Sequence, residues 1–425
     1  MPVITEKIVK QQGITVHIIP TKKYKTNTLV WKMKAPLKEE TVTYRALLPS
    51  VLQSNTATYP TSTEFRSYLD ELYGASLFTD VGKKGEYHIM SFQMEMVNDR
   101  YLTDSEPLLE RAFELLHEVL NNPNVKNDAF DEKTVAKEKR ALKQRLQAVY
   151  DDKMRYSSLR LVQEMCMEEN YRLEANGILS QVDDITPSSL YKYYLQAFRE
   201  DEIDLYVIGD IDETSISEKA ATYFTYPERT PEKAEYNKVE VNEIKELKET
   251  QEIKQGKLNI GYRTNIVYGD KDYFPLQMFN GIFGGFSHSK LFINVREKAS
   301  LAYYAASRLE SHKGLLMVMS GIDQKNYDQA LTIIKEQMQA MQKGGFSEEE
   351  MEQTKAIIQN QLLETIDTSR GLTEILYHNV VAKVDTSLDE WLTSIENVTR
   401  EEIIACASKL EMDTIYFLSG PEVTE

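Results

Sequence analysis

The most distinctive stretch of the sequence carries an arginine and a tyrosine that could act on one carbonyl group. Gly284 and Gly285 precede a predicted helix over residues 290–298, with Arg296 near its end and Tyr303 on the strand that follows. A guanidinium and a phenol hydroxyl are both hydrogen-bond donors and could point at the same carbonyl oxygen. The alternatives are that Arg296 pairs with a local acid, that Tyr303 is a core residue, and that the glycines form a tight turn.

The histidines do not suggest a metal site within this chain. A helix provides zinc ligands most economically when two histidines stand at positions i and i+4 with an acid beside them. No two of the histidines are four residues apart; they are His17, His88, His117, His288, His312 and His378. We therefore predict that each of them is a surface or packing residue.

The elements that would position these residues recur in the same order in two parts of the chain. Strand patterns at 28–35, 75–81, 86–96 and 204–208 alternate with helical patterns at 43–53, 62–73, 105–121 and 127–152. The order then begins again at residue 257. The sequence around Gly85 resembles the one around Gly314, and Asp131 and Ser347 stand at matching positions before similar helices, where both are predicted N-caps.

These repeats predict an α+β fold of two homologous halves, each an antiparallel-rich sheet covered by helices. Residues 227–256 are the predicted linker, because 14 of these 30 residues are charged and two are proline. The predicted domains are therefore residues 1–226 and 257–425. Two such halves can face each other across a cavity, as in half of a clamshell.

Composition limits the classes of function. The 425 residues exceed what one hydrophobic core supports, and the net charge of −17 argues against a nucleic-acid partner. No export signal and no apolar run long enough to span a membrane is found, so we expect a cytoplasmic protein. Cys166 and Cys406 stand in helical patterns and are expected to be buried free thiols.

The run from Leu291 to Tyr304, Leu-Phe-x-x-Val-Arg-Glu-Lys-x-Ser-Leu-Ala-Tyr-Tyr, resembles the pitrilysin/insulinase family of zinc peptidases. The run matches the C-terminal half-site of the family's mitochondrial-processing-peptidase-like branch. The resemblance covers nearly the whole chain, because two similar halves joined by a linker are also the architecture of that family. In that family the arginine and tyrosine bind substrate backbone beside the catalytic zinc. The resemblance therefore implies that Arg296, Tyr303 and the Gly284–Gly285 loop bind substrate.

The zinc ligands of the family are absent. Its His-x-x-Glu-His motif falls on Ala46, Pro49 and Ser50, which cannot provide the two histidine ligands or the general base. The third zinc ligand of the family is a glutamate that stands seven residues after another glutamate on a helix further along the chain. Glu138 matches the first of these, but Arg145 occupies the ligand position and places a positive charge where the cation would lie.

This combination implies the zinc-free subunit of a heterodimeric metallopeptidase. A homologous partner carrying His-x-x-Glu-His would bind zinc, and this chain would help to bind the peptide. Neither a nucleic acid nor a membrane is expected as a partner. One alternative is a scaffold or binding protein derived from a peptidase; another is an active homodimeric hydrolase with different chemistry.

Overall fold

The computed structural model of the protein describes residues 4–102 and 107–421. The first half contains a sheet and a layer of helices. Its strands are β1 (Lys7–Gln11), β2 (Ile14–Pro20), β3 (Thr26–Pro36), β4 (Ser76–Lys84), β5 (Tyr87–Val97), the short hairpin β6 (Val125–Lys126) and β7 (Ala129–Phe130), and β8 (Glu202–Gly209). Its helices are α1 (Glu39–Ser54), α2 (Ser62–Glu71), α3 (Leu108–Asn121), α4 (Glu132–Asp151), α5 (Lys153–Met165), α6 (Pro187–Glu200) and α7 (Glu213–Tyr223).

The second half repeats this composition with fewer strands. Its strands are β9 (Lys245–Thr250), β10 (Gly256–Arg263), β11 (Ala302–Glu310), β12 (Leu315–Ile322) and β13 (Glu411–Ser419). Its helices are α8 (Tyr273–Asn280), α9 (Tyr327–Gln342), α10 (Glu348–Thr365), α11 (Ser369–Ala382), α12 (Leu388–Glu396) and α13 (Arg400–Ala407). Two π-helical segments, Gly281–Gly285 and Phe292–Lys298, lie between α8 and β11.

The two sheets have the same topology. The first has the order β1-β2-β8-β3-β5-β4 and the second β11-β12-β10-β13-β9. In the first sheet β2 runs parallel to β8, and in the second β9 runs parallel to β13, while the other pairs are antiparallel. Counted from the β4 edge, the strands β4, β5, β3, β8 and β2 correspond to β11, β12, β10, β13 and β9. Strand β1 is an addition to the first sheet. The predicted α+β fold of two homologous halves is confirmed.

Each half covers one face of the other half's sheet. Helix α11 of the second half packs on the first sheet, where Tyr377 contacts the ring of Tyr206 with centroids 6.2 Å apart. Helix α5 of the first half packs on the second sheet, where Leu161 and Met165 are buried with Met317 and neighbouring residues. The two halves thus exchange a helix, so helices of both halves pack on each sheet.

The exchange explains a difference from the sequence analysis. The alternation in 28–35 predicts a strand with one exposed face, but β3 is buried on both faces from Asn27 to Lys34. Lys32 and Lys34 lie on the face that α11 covers. Each keeps an acidic partner there, Glu374 for Lys32 and Glu202 for Lys34, because a buried ammonium needs compensation.

The segment predicted as a linker contains a strand. Lys245–Thr250 pairs in parallel with β13, so the second sheet begins within 227–256. Alternate residues of β9 are exposed, among them Glu246 and Lys248, and the half-buried Lys245 pairs with Glu164 of α5. The helix predicted over 127–152 begins at Glu132, because Asn127 and Asp128 adopt positive φ in the β6–β7 turn.

Several local predictions are confirmed. Asp131 and Ser347 are N-caps whose side chains accept hydrogen bonds from the N–H groups of Thr134 and Glu350. Cys166 and Cys406 are free and buried, and burial raises the pKa of each thiol to about 12. The predicted helix start at 105 lies outside the described residues; α3 begins at Leu108.

Candidate functional site

Helices α1 and α4 pack together and carry the positions where the resemblance would place zinc ligands. Ala46 and Pro49 are buried on α1, and Ser50 is half-buried. Arg145 is exposed on α4. Within residues 4–102 and 107–421, no group of three or more His, Cys, Asp or Glu side chains could hold a metal ion. These residues do not fit zinc.

The α1–α4 contact is instead made by hydrogen bonds. The Ser54 hydroxyl donates to Oε1 of Glu138 over 2.9 Å, and Nδ2 of Asn55 donates to Oγ1 of Thr134 over 2.7 Å. Glu138, the family's first glutamate on this helix, also pairs with Lys137. Its carboxylate is therefore engaged within the fold, in a structural role.

A buried arginine that the sequence analysis missed lies beside the former ligand positions. Arg45 donates to Oδ2 of Asp201 over 2.6 Å and to the Tyr193 hydroxyl over 3.1 Å, and it also reaches the main-chain oxygens of Met33 and His88. Burial by itself would lower the pKa of Arg45, but Asp201 and Tyr193 raise it. No local signal could have found this pair, because its members stand 156 residues apart.

Gly284 is a packing residue. It is buried in the first π-helical segment, where an added Cβ would lie 2.5 Å from Oγ and 2.8 Å from the main-chain nitrogen of Ser307 on β11. Gly285 is half-buried, and an added Cβ there would lie 3.0 Å from Nδ2 of Asn280. Gly284 therefore lets the helical segment approach β11 closely, whereas Gly285 packs against Asn280 at the end of α8.

Arg296 lies in the second π-helical segment with its side chain partly exposed. Its guanidinium carbon stands 4.5 Å from the centre of the Phe292 ring, and its Nε is 3.8 Å from Oε1 of the neighbouring Glu297. The segment ends with Leu301 N–H donating to the Val295 carbonyl over 3.1 Å. The contact with Glu297 is long and solvent-exposed, so it leaves the guanidinium free to bind another group.

Tyr303 is exposed. The register of β11 against β12 shifts by one residue between Ala302 and Tyr304, which makes Tyr303 the extra residue of a β-bulge. The residue is 73% exposed, so the alternative of a core tyrosine is wrong. Arg296 and Tyr303 stand at the two ends of one short connection, and both are accessible to a ligand.

A cavity of about 920 Å³ lies on the first sheet, on the face that α11 of the second half covers. It is lined by β3, β4, β5 and the amino end of α11, and we call it the first-half cavity. Lys32, Lys84 and Glu374 form an ion-paired group in its wall. The sequence analysis expected a cavity between the two halves but did not identify these residues, because they come from distant parts of the chain.

The family model described as "Peptidase M16 inactive domain" matches residues 184–358. The chain is 54% identical over 423 residues to a Bacillus subtilis protein named probable inactive metalloprotease YmfF, covering 99% of both chains. No helix within the described residues is both long and apolar enough to cross a membrane.

Solved structures show the same fold over the whole chain. The crystal structure of a conserved protein from Enterococcus faecalis V583 superposes with a TM-score of 0.92 at 38% identity, covering 99% of this chain and 100% of that one. A protease from Helicobacter pylori superposes with a TM-score of 0.80 at 14% identity, covering 98% and 100%. The second likeness concerns the fold alone.

Proposed function

Because the chain belongs to the peptidase M16 family, as a member of its inactive type, we propose that it is the zinc-free subunit of a two-subunit zinc metallopeptidase. One observation carries the proposal. The first half has lost every zinc ligand, at Ala46, Ser50 and Arg145, and the general base at Pro49, whereas the second half presents an arginine and a tyrosine to solvent. Both side chains are therefore accessible to a bound peptide.

The partner in this proposal is a homologous subunit with His-x-x-Glu-His, and its zinc would supply the activated water. Arg296 and Tyr303 would donate hydrogen bonds to the carbonyl oxygen of the bound peptide, holding it and stabilising negative charge that develops on it. Gly284 would act indirectly, because its packing against Ser307 sets the position of the segment that leads to Arg296.

Peptides or unfolded segments are the proposed substrates, since a site enclosed by two subunits admits an extended chain and excludes a folded one. The buried free thiols of Cys166 and Cys406 support a reducing compartment, and we place the protein in the cytoplasm.

The test is peptidase activity on a quenched peptide library, with zinc quantified, for this chain alone and for the complex that it captures from its own cells. We expect an inert chain, and a zinc-containing complex that cleaves peptides. Arg296→Ala should lower kcat/KM by about 100-fold, the scale of losing one oxyanion donor. Tyr303→Phe should lower it by a smaller factor, because only the hydroxyl is removed.

The matched control is Arg308→Ala, which removes an exposed arginine on β11 that pairs with Glu310. It should leave both activity and complex formation unchanged. A complex that contains zinc but cleaves nothing would favour the scaffold alternative, as would Arg296→Ala and Tyr303→Phe complexes as active as the wild type. Cleavage by the chain alone would favour the homodimeric hydrolase.

A further inference from the structure

Two histidines of the second half face each other beside the first half, and we call them the histidine pair. His312 lies in the turn between β11 and β12, and His378 lies on α11. Their rings are parallel to within 4°, with centroids 4.9 Å apart, and Nε2 of His312 is 2.6 Å from Nδ1 of His378. A hydrogen bond between two imidazole nitrogens needs one bare nitrogen as its acceptor, so both of these nitrogens cannot carry a proton.

A tyrosine of the same half covers the histidine pair. Tyr268, in the loop between β10 and α8, stacks on both rings, with centroids 5.6 Å from His312 and 5.1 Å from His378. Its hydroxyl donates to Oδ1 of Asn379 over 3.1 Å, which ties the loop to α11. Tyr268 is itself buried, so it shields the pair from water.

The first half presents mainly positive charge to the histidine pair. The ammonium groups that lower the pKa of the pair are those of Lys32 and Lys34 on β3 and of Lys84 on β4. Glu374, one helical turn before His378, raises the pKa of that histidine, but its effect is smaller than that of Lys84. Its carboxylate is already 2.6 Å from the Lys32 ammonium and 3.2 Å from the Lys84 ammonium.

These surroundings keep both histidines neutral. Burial, followed by Lys84 and Lys34, lowers the pKa of His312 from 6.5 to about 3. Burial also lowers the pKa of His378 well below 6.5. Because these values lie below that of an exposed histidine, the stabilisation is complete above pH 6.5 and is lost as the pH falls below it.

The histidine pair joins two segments of the second half that both contact the first half. The turn of His312 lies against the β4–β5 turn, where a Cβ added to Gly85 would lie 2.4 Å from the main-chain oxygen of His312. In the same turn Lys313 pairs with Glu86. The other segment is α11, whose Tyr377 is buried on the first sheet. A change in the pair therefore acts on both contacts at once.

We propose that the histidine pair is a proton-sensitive latch that holds the second half on the first sheet. One proton on the pair adds a positive charge beside Lys32, Lys34 and Lys84, and a second proton removes the acceptor of the hydrogen bond. Helix α11 and the turn of His312 then separate from the first half, and the first-half cavity, which the amino end of α11 borders, widens. This opening needs neither a partner subunit nor zinc, so it goes beyond the proposed function.

The test is hydrogen–deuterium exchange of the full chain alone at pH 7.5 and 5.5, with labelling times scaled to the intrinsic exchange rate at each pH. A histidine that takes up a proton only in the open form, where its pKa is 6.5, raises the opening equilibrium about tenfold over this range. Two such histidines raise it about 100-fold. We expect a rise of this size in the amides of α11 and of residues 311–314.

A variant without titratable rings separates a latch from a merely structural contact. His312→Asn combined with His378→Gln provides two side-chain amides that can hydrogen-bond to each other and do not take up a proton. Whatever its stability, its exchange in α11 should change less than about twofold between the two pH values. The variant keeps the buried His88 of the first sheet, so an acid response that began there would persist in it.

The matched control is His288→Gln, which replaces a half-buried histidine that is bonded to Thr354 and also has a lowered pKa. It should respond to pH as the wild type does. Unchanged exchange in the wild type, the full response in the double variant, or a lost response in His288→Gln would each overturn the proposal. So would a rise that is equal along the whole chain, since acid would then unfold the protein rather than open it at α11. The readout comes from the isolated chain, so its failure and that of the two-subunit peptidase can be told apart.

Discussion

Lys32 on β3 donates a hydrogen bond of 2.6 Å from its ammonium to Oε1 of Glu374 on α11. This ion pair joins the sheet of one half to a helix of the other. Lys32 is 3% exposed, whereas the Glu374 carboxylate is partly open to the first-half cavity. Burial would raise the pKa of Glu374, but Lys32 and Lys84 lower it to about 2.

Replacing the two members of this pair should have unequal effects on stability. Glu374→Gln leaves the buried ammonium of Lys32 without its counter-charge and should lower the free energy of unfolding by about 2 kcal/mol. Lys32→Met leaves a carboxylate that can turn to solvent, and should cost less than about 1 kcal/mol. Urea unfolding of both variants measures the difference, and the opposite order would contradict this account of the interface.

The buried His17 should make stability depend on alkaline pH. Burial by itself would lower the pKa of His17, but hydrogen bonds to Asp204 and Glu6 raise it from 6.5 to about 9. The raised value means that the stabilisation is complete below pH 6.5 and is lost as the pH rises through 9. Between these limits we expect a loss of about 3 kcal/mol that His17→Gln does not show. Parallel pH profiles of the unfolding free energy for the wild type and His17→Gln would refute this role of His17.

Gly284 and Gly285 should differ in tolerance to a methyl group. At Gly284 an added Cβ meets the main chain of β11, which cannot move without disturbing the sheet, so Gly284→Ala should cost about 2 kcal/mol. At Gly285 the closest atoms are Nδ2 of Asn280 at 3.0 Å and its main-chain oxygen at 3.1 Å, contacts less tight than those at Gly284, so Gly285→Ala should cost under about 1 kcal/mol. Thermal unfolding of the two variants compares them directly, and equal melting temperatures would show that the segment is not held as described.

Removal of metal should leave this chain unchanged. Its described residues offer no set of zinc ligands, so treatment with a chelator should not shift the melting temperature of the isolated chain. In a complex with a zinc-binding partner, the same treatment should abolish peptide cleavage. A chelator-induced drop in the melting temperature of the chain alone would reveal a metal site that these residues do not explain.

The sequence predicts the elements of this fold well where the signals are local. The N-caps Asp131 and Ser347, for example, need only the few residues that follow them. The replacement of the zinc ligands by Ala46, Ser50 and Arg145, and of the general base by Pro49, was also readable, because the resemblance to the family places its motifs on these residues.

Features that depend on distant parts of the chain were not readable. The burial of Lys32 and Lys34 requires α11, which comes more than 300 residues later. Strand β9 looks like a linker because its pairing partner β13 is at the far end of the sequence. The bulge at Tyr303 is set by the register with β12, which residue types do not reveal.

The exchange of α5 and α11 bears on how such a chain could have arisen. A single half would have lacked the helix that covers its own sheet, and its inner face would have been exposed to water. An ancestor of that size could have buried this face by forming an intertwined pair of identical chains, each lending its helix to the other. Gene fusion would then have turned a concentration-dependent dimer into one polypeptide, after which the two copies were free to diverge in sequence and in task.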